Sequence, residues 1–100
     1  MKVKDLLDKE EKWIKGSYSK HALVESTTPK GDKIMLPYGP AIGWCLLGAI
    51  GQCYGLAPST IRAKVEAEIR GVYNTAIVEW NDAPERTFAD IRQLVEKLDI

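Results

Sequence analysis

Two sets of residues in this 100-residue chain have the types and spacing to do chemistry. The denser set is Trp80-Asn81-Asp82-Ala83-Pro84-Glu85-Arg86-Thr87, where an aromatic, an amide, two acids and a guanidinium fall within eight residues. Aromatic faces beside an amide and a guanidinium are what a small polar, nucleotide-like ligand meets in a binding site. Trp80, Asn81, Asp82 and Arg86, with Trp44 as a further stacking wall and Trp13 as an alternative to it, are therefore the candidate ligand-binding residues. The same side chains also suit a structural role. Asp82 can pair with Arg86 or cap the following turn, and Asn81 can tie off a helix end. Asp82 and Glu85 are two carboxylates as well, but nothing places a substrate between them for acid–base work.

The other set is Cys45 and His21. A thiol near the start of an apolar helix resembles a cysteine-hydrolase nucleophile, because a helix N-terminus lowers a thiol pKa. His21, the single imidazole, would be the base, with Asp82 or Asn81 orienting it. Against this, Leu46-Leu47 follow the cysteine and His21 stands beside a turn-rich stretch. The competing reading makes Cys45 a small core residue packed against Trp44 or Trp80. Cys45 and Cys53 are eight residues apart in one apparent helix, hence about 12 Å along its axis. A disulfide reaches roughly 7 Å between Cα atoms, so both thiols are expected free and buried. With one histidine and no Cys-x-x-Cys spacing a structural zinc site lacks ligands, and neither metal nor cofactor is expected. Gly43, Gly48 and Gly51 lie in a helical pattern and follow no strand, so they form no phosphate-binding loop.

Composition narrows the classes further. Lys+Arg 14 against Asp+Glu 14 gives no net charge and no basic field for a phosphate backbone, which makes nucleic acid a poor partner. Lys30, Lys33, Arg62, Lys64 and Arg70 are interspersed with acids, as on a solvated face. Hydrophobic residues at 45% and charged residues at 28% are ordinary for a globular domain. No window approaches the roughly 20 apolar residues of a membrane span. The charged opening Met1-Lys2-Val3-Lys4-Asp5 leads into a helical pattern and not a signal core, so a cytoplasmic protein is expected.

The elements that must position these residues read as a succession of helices. Val3, Leu6, Leu7 and Ile14 fall on one stripe of a helix running to about Lys15, with Gly16 and Ser17 as its stop. Over residues 20–38 the helical period disappears. Ala22-Leu23-Val24 and Ile34-Met35-Leu36 flank the cluster Thr27-Thr28-Pro29-Lys30-Gly31-Asp32, which admits a short β-hairpin or an ordered loop. Pro40 then stands as the first residue of a helix over about 41–54. That segment is apolar on nearly every face, which marks it as the buried centre. Its glycines each cost about 0.5–1 kcal/mol in a helix, so close approach of another backbone is the expected compensation. Pro58 and Ser59 open the next helix, with Ile61, Val65, Ile69 and Val72 on its stripe and a break near Gly71 and Asn74. Ile91, Leu94, Val95 and Leu98 belong to the last, behind a Thr87-x-x-Asp90 capping box. Together these predict a mostly α fold: a compact four- to five-helix single domain across 1–100, wrapped around the 41–54 helix.

Three motifs carry a resemblance. Trp13 with Gly16-Ser17-Tyr18, then Trp44-Cys45-Leu46-Leu47-Gly48-Ala49-Ile50, then Trp80-Asn81-Asp82-Ala83-Pro84-Glu85-Arg86-Thr87 resemble a family of small bacterial and phage proteins, a domain of unknown function. The likeness runs from Trp13 to Leu98. The long Lys20–Tyr38 stretch has little counterpart in the family pattern, and Ile50 stands where leucine is usual. The resemblance implies one compact domain in a bacterial or phage setting and attaches no chemistry to it. A phage counter-defence role, sequestering a nucleotide signal or blocking a host protein, would fit that setting.

The expectation is thus a small cytoplasmic binding protein without catalytic activity, whose partner is a small polar ligand or another protein. A Cys45/His21 hydrolase is the runner-up, and a structural or oligomerising module the third.

Overall fold

Leu46, Ala49 and Ile50 are essentially inaccessible, and the helical body is arranged around them. The computed structural model describes residues 1–55 and 59–100. In chain order the elements are α1 (Val3–Leu6), a 3₁₀ turn (Glu10–Lys12), β1 (Ser19–His21), β2 (Val24–Thr27), β3 (Lys33–Leu36) and β4 (Ala41–Trp44), followed by α2 (Leu46–Tyr54), α3 (Thr60–Tyr73), α4 (Ile77–Asp82) and α5 (Phe88–Leu98). α2 packs against α1, α3 and α4. Val65 and Ile69 of α3, Ile77 and Trp80 of α4, and Ile91, Leu94, Val95 and Leu98 of α5 complete one core with Val3 and Leu7. Burying each such side chain contributes roughly 1.5–3 kcal/mol, so the core is held by the sum and not by one contact.

The architecture is α+β, which corrects the mostly α expectation. The expected 41–54 helix starts only at Leu46. Its first four residues are β4, paired antiparallel with β1 in the register Ser19↔Trp44, Lys20↔Gly43 and His21↔Ala41. Ala41-Ile42-Gly43-Trp44 is apolar enough for a buried helix turn, yet Ile42 and Trp44 also favour strand, and here tertiary pairing decides. Gly43 makes that pairing fit, because a Cβ there would meet Ile14 Cγ2 at 3.1 Å. Pro40 opens no helix, and its carbonyl accepts from the Ala22 amide at 2.9 Å. Cys45 is the N-cap of α2, its sulfur accepting from the Gly48 amide at 3.3 Å.

The expected first helix is also cut short. Asp8-Lys9-Glu10-Glu11-Lys12 offers nothing apolar to hold a helix on the core, and α1 ends at Leu6. Trp13 and Ile14 then run extended beside β4, the Ile14 amide donating to the Trp44 carbonyl at 3.1 Å. α3 opens on Ser59, whose hydroxyl accepts from the Arg62 amide, while Pro58 lies outside the described residues. The helix runs through Gly71 and ends at Asn74, which is left-handed at φ 53°.

The turn-rich segment joins β2 to β3, with pairs from Val24↔Leu36 to Thr27↔Lys33. Hydrogen bonds between Ala22 and both Gly39 and Pro40 connect this sheet to β1–β4, so residues 19–44 form one two-stranded arm. The molecule measures 54 × 27 × 21 Å with a radius of gyration of 15.7 Å. A compact 100-residue domain has about 13 Å, and the excess reflects this arm standing off the body. Among the described residues no helix is long and apolar enough to cross a membrane. The chain ends meet in a clasp where Lys4 Nζ and Lys2 Nζ reach Asp99 Oδ1 at 2.6 and 2.9 Å.

The expected close approach of a second backbone to the α2 glycines occurs at Gly48. A Cβ there would drive into the Tyr18 carbonyl oxygen, far inside van der Waals contact, whereas Gly71 in α3 faces open space. Gly48→Ala should therefore lower stability by about 3 kcal/mol or prevent folding, while Gly71→Ala should raise it by about 0.5–1 kcal/mol. Urea denaturation of the two variants checks this, and equal effects would contradict the crossing described here.

Hydrogen bonds from Lys4 and Lys2 pull the Asp99 carboxyl down to about 2. A carboxyl lowered on folding stabilises above its unfolded pKa, near 3.9, and loses that contribution as pH falls through the folded value. Asp99→Asn should accordingly lose less stability than the parent chain between pH 4 and pH 2, read from urea midpoints at both pH values.

Candidate functional site

α4 brings Trp80, Asn81 and Asp82 to its last turn, and Pro84 stops the helix from continuing. Asn81 has no exposed surface. Its Oδ1 accepts from Trp13 Nε1 at 2.7 Å and from the Leu46 amide at 3.0 Å. Its Nδ2 donates to the Ile14 carbonyl at 3.0 Å and to Asp82 Oδ1 at 2.9 Å. A side-chain amide has two donors and two acceptor sites, and all four are used within the protein. Asp82 Oδ1 also accepts from the Gly16 amide at 3.0 Å, which docks the 13–18 segment onto α4.

Arg86 folds back over the helix end. Its Nε donates to the Trp80 carbonyl at 2.9 Å and its Nη1 lies 3.4 Å from Asp90 Oδ2. The guanidinium stacks 4.2 Å from the Trp80 ring centroid and 5.1 Å from that of Tyr73. Trp80 Nε1 is buried with no acceptor among the described residues, which costs on the order of 1–3 kcal/mol. Burial of the ring and the guanidinium above it offset that. Thr87 and Asp90 form the capping box, the Thr87 hydroxyl accepting from the Asp90 amide at 3.2 Å and the carboxylate from the Thr87 amide at 2.9 Å. The Thr87 amide, ahead of other contacts, holds the Asp90 carboxyl below its ordinary pKa.

The five candidate residues therefore do not converge on one cleft. Trp80 and Asn81 are interior, Arg86 covers Trp80, and half-buried Trp44 ends β4. Asp82 borders a cavity of about 410 Å³ with Gly16, Ser17, Tyr18, Cys45 and Val78, and Trp80 a separate one of about 190 Å³ between α3 and α5. His21 and Cys45 are not brought together either. The imidazole bonds to the Ser19 hydroxyl at 3.1 Å and the Gly39 carbonyl at 2.9 Å. It sits opposite Ala41, four residues from Cys45 and about 13 Å away along an extended chain. Both cysteines are free, and burial pushes the Cys45 thiol up, away from the thiolate a nucleophile needs. Among the described residues no group of three or more His, Cys, Asp or Glu side chains is placed to hold a metal ion.

Tyr18 is the residue that sequence reasoning passed over. It is 63% exposed, and its carbonyl is pinned by the Cys45 amide at 3.2 Å. It lines three adjoining hollows. Besides the Cys45 cavity, one of about 370 Å³ runs along Leu47, Gly48, Ile50 and Gly51 of α2. Another of about 300 Å³ lies between Leu47, Val78 and the Arg62, Glu66 and Arg70 side of α3. Tyr18, Leu47, Arg62 and Val78 are shared between neighbouring hollows, so the three make one groove between α2, α3 and α4. The available signal was Gly16-Ser17-Tyr18 itself, an aromatic after a chain stop, but its position depends on a crossing far away in sequence.

Residues 1–98 match a family of unknown function, DUF6197, and the chain belongs to that family. No curated protein and no solved structure matches it.

Asn81→Ala leaves the Leu46 amide, the Trp13 indole and the Ile14 carbonyl without their partner, and should cost 3 kcal/mol or more at about 1–3 kcal/mol per unsatisfied group. Asp82→Asn keeps an acceptor for Gly16 and loses only charge assistance, so about 1 kcal/mol is expected. Urea denaturation measures both, and the reverse order would show that Asn81 does not clamp these segments.

Proposed function

We propose that this is a small non-catalytic binding protein of the cytoplasm that takes a small polar ligand in the groove around Tyr18. The observation that carries this reading is the groove itself. The exposed Tyr18 borders hollows of about 300, 370 and 410 Å³, each the size of a small-molecule site. Tyr18 offers a face for stacking and a hydroxyl that bonds to no described residue. Two free cysteines accord with a reducing compartment. A nucleotide-like ligand, with a flat ring and polar substituents, has the shape and polarity such a groove accommodates.

A second reading, an oligomerisation module, is favoured by the arm. Leu23, Val24, Ile34, Met35, Tyr38 and Ile42 are all exposed there. Val24, Leu36 and Ile34 share one face of β2–β3, and no core residue comes from either strand. An isolated two-stranded hairpin is marginally stable in water, and edge pairing with a second copy would extend it to four strands.

A thermal-shift screen against nucleotides and nucleosides tests both readings, because a ligand bound only by the native state raises the midpoint. The expected result is a concentration-dependent rise that Tyr18→Ala abolishes. No rise, together with a dimer by light scattering that Ile34→Lys dissolves, would replace the first reading by the second.

A further inference from the structure

We infer that the ligand of this groove is an amphipathic organic anion, its negative group at Arg70 and Arg62 and its apolar body laid along α2. The inference rests on the groove being the binding site, as proposed above, and concerns what the site selects. The three hollows of the groove differ in chemistry, and the one beside Cys45 carries the Asp82 carboxylate, whose Oδ1 already accepts from Gly16 and Asn81. Toward α2 the walls are Leu47 and Ile50, the Tyr18 backbone covers Gly48 at one side, and Gly51 adds no side chain to the floor. A flat or aliphatic body can lie against such a floor and lose its hydration without leaving a polar group unpaired.

Toward α3 the ionised groups are Arg62, Glu66 and Arg70, spaced four residues apart and therefore on one helix face. Arg62 Nε pairs with Glu66 Oε1 at 3.0 Å. Arg70 has no hydrogen-bond or ion-pair partner among the described residues, and its side chain is exposed. Two guanidiniums against one already engaged carboxylate leave one positive charge uncompensated at this end. A carboxylate, phosphate or sulfonate fits it, since guanidinium presents paired donors to planar or tetrahedral oxyanions. A cationic ligand would meet net repulsion there. Arg62 keeps its terminal N–H groups available while Glu66 occupies Nε, so it can join Arg70 on the anion without breaking its own pair.

Fluorescence titration with two dyes of one body tests this: 8-anilinonaphthalene-1-sulfonate and its uncharged analogue N-phenyl-1-naphthylamine. The expected result is saturable sulfonate binding at one site per chain. Arg70→Ala should weaken it about tenfold, Arg70→Lys should restore part of it, and added salt should weaken it further. Tyr18→Ala should weaken both dyes. Equal binding of the two dyes, lost in Tyr18→Ala and unchanged in Arg70→Ala, would overturn the anion inference and leave the groove as the binding site. Binding indifferent to both substitutions would place the dyes elsewhere and overturn both readings. No binding of the sulfonate at all would overturn the anion inference, with the groove then judged by the thermal-shift screen alone.

Discussion

Four hydrogen bonds to one buried amide hold together segments that the chain places far apart. Asn81 joins the indole of Trp13, the carbonyl of Ile14, the first amide of α2 and the carboxylate of Asp82. Each bond contributes only about 1 kcal/mol net, but an unmade one at a fully buried site costs more than a made one returns. Few alternative packings of these segments satisfy four polar groups at once, which is what makes the arrangement specific. From the clamp the rest follows in order. Trp13 and Ile14 lie along β4, Gly16 reaches Asp82, and Tyr18 is carried across the start of α2 with Gly48 beneath its carbonyl.

What was legible in the sequence was local. The Thr87–Asp90 capping box and the Ser59 cap are satisfied within three residues, so residue type and spacing suffice to find them. Leu46, Ala49 and Ile50 were identifiable as buried because their neighbourhood is apolar on every side, whatever element contains them. The strand at Ala41–Trp44 was not legible. Its partner, Ser19-Lys20-His21, is polar and too short to alternate, and the register shifts between Lys20 and His21. Pairing there depends on Gly43 accommodating Ile14 and on the Asn81 clamp, both of which lie outside any local window.

The arm is the structural consequence of that pairing. Once β4 turns back along β1, residues 22–40 have no helix to join and no core to enter, and they close on themselves through β2 and β3. Cross-strand contacts such as Lys33 with Glu25 at 3.4 Å add little at such exposure. The arm's apolar face is therefore left exposed. This accounts for an elongated molecule built from a sequence whose composition is that of an ordinary compact domain.

The corner that looks most like a binding site in the sequence and the groove beside Tyr18 separate on a single criterion. A polar group whose bonds are complete inside the fold can contact a ligand only by giving up a partner, and the exchange gains nothing. Asn81 has completed its bonds, Arg86 is stacked and hydrogen-bonded, and Asp82 holds Gly16. Their types are those of a recognition site because clamping a helix end to a distant strand uses the same chemistry as gripping a ligand. Tyr18 and Arg70 were indistinct in the sequence, one an aromatic after a turn and the other a charge on an amphipathic helix. Their side chains keep hydrogen-bonding groups without a partner among the described residues, and both border a hollow of about 300 Å³. The groove is thus lined by side chains whose polar groups the fold does not use, and these are found only once the Asn81 clamp is counted and set aside.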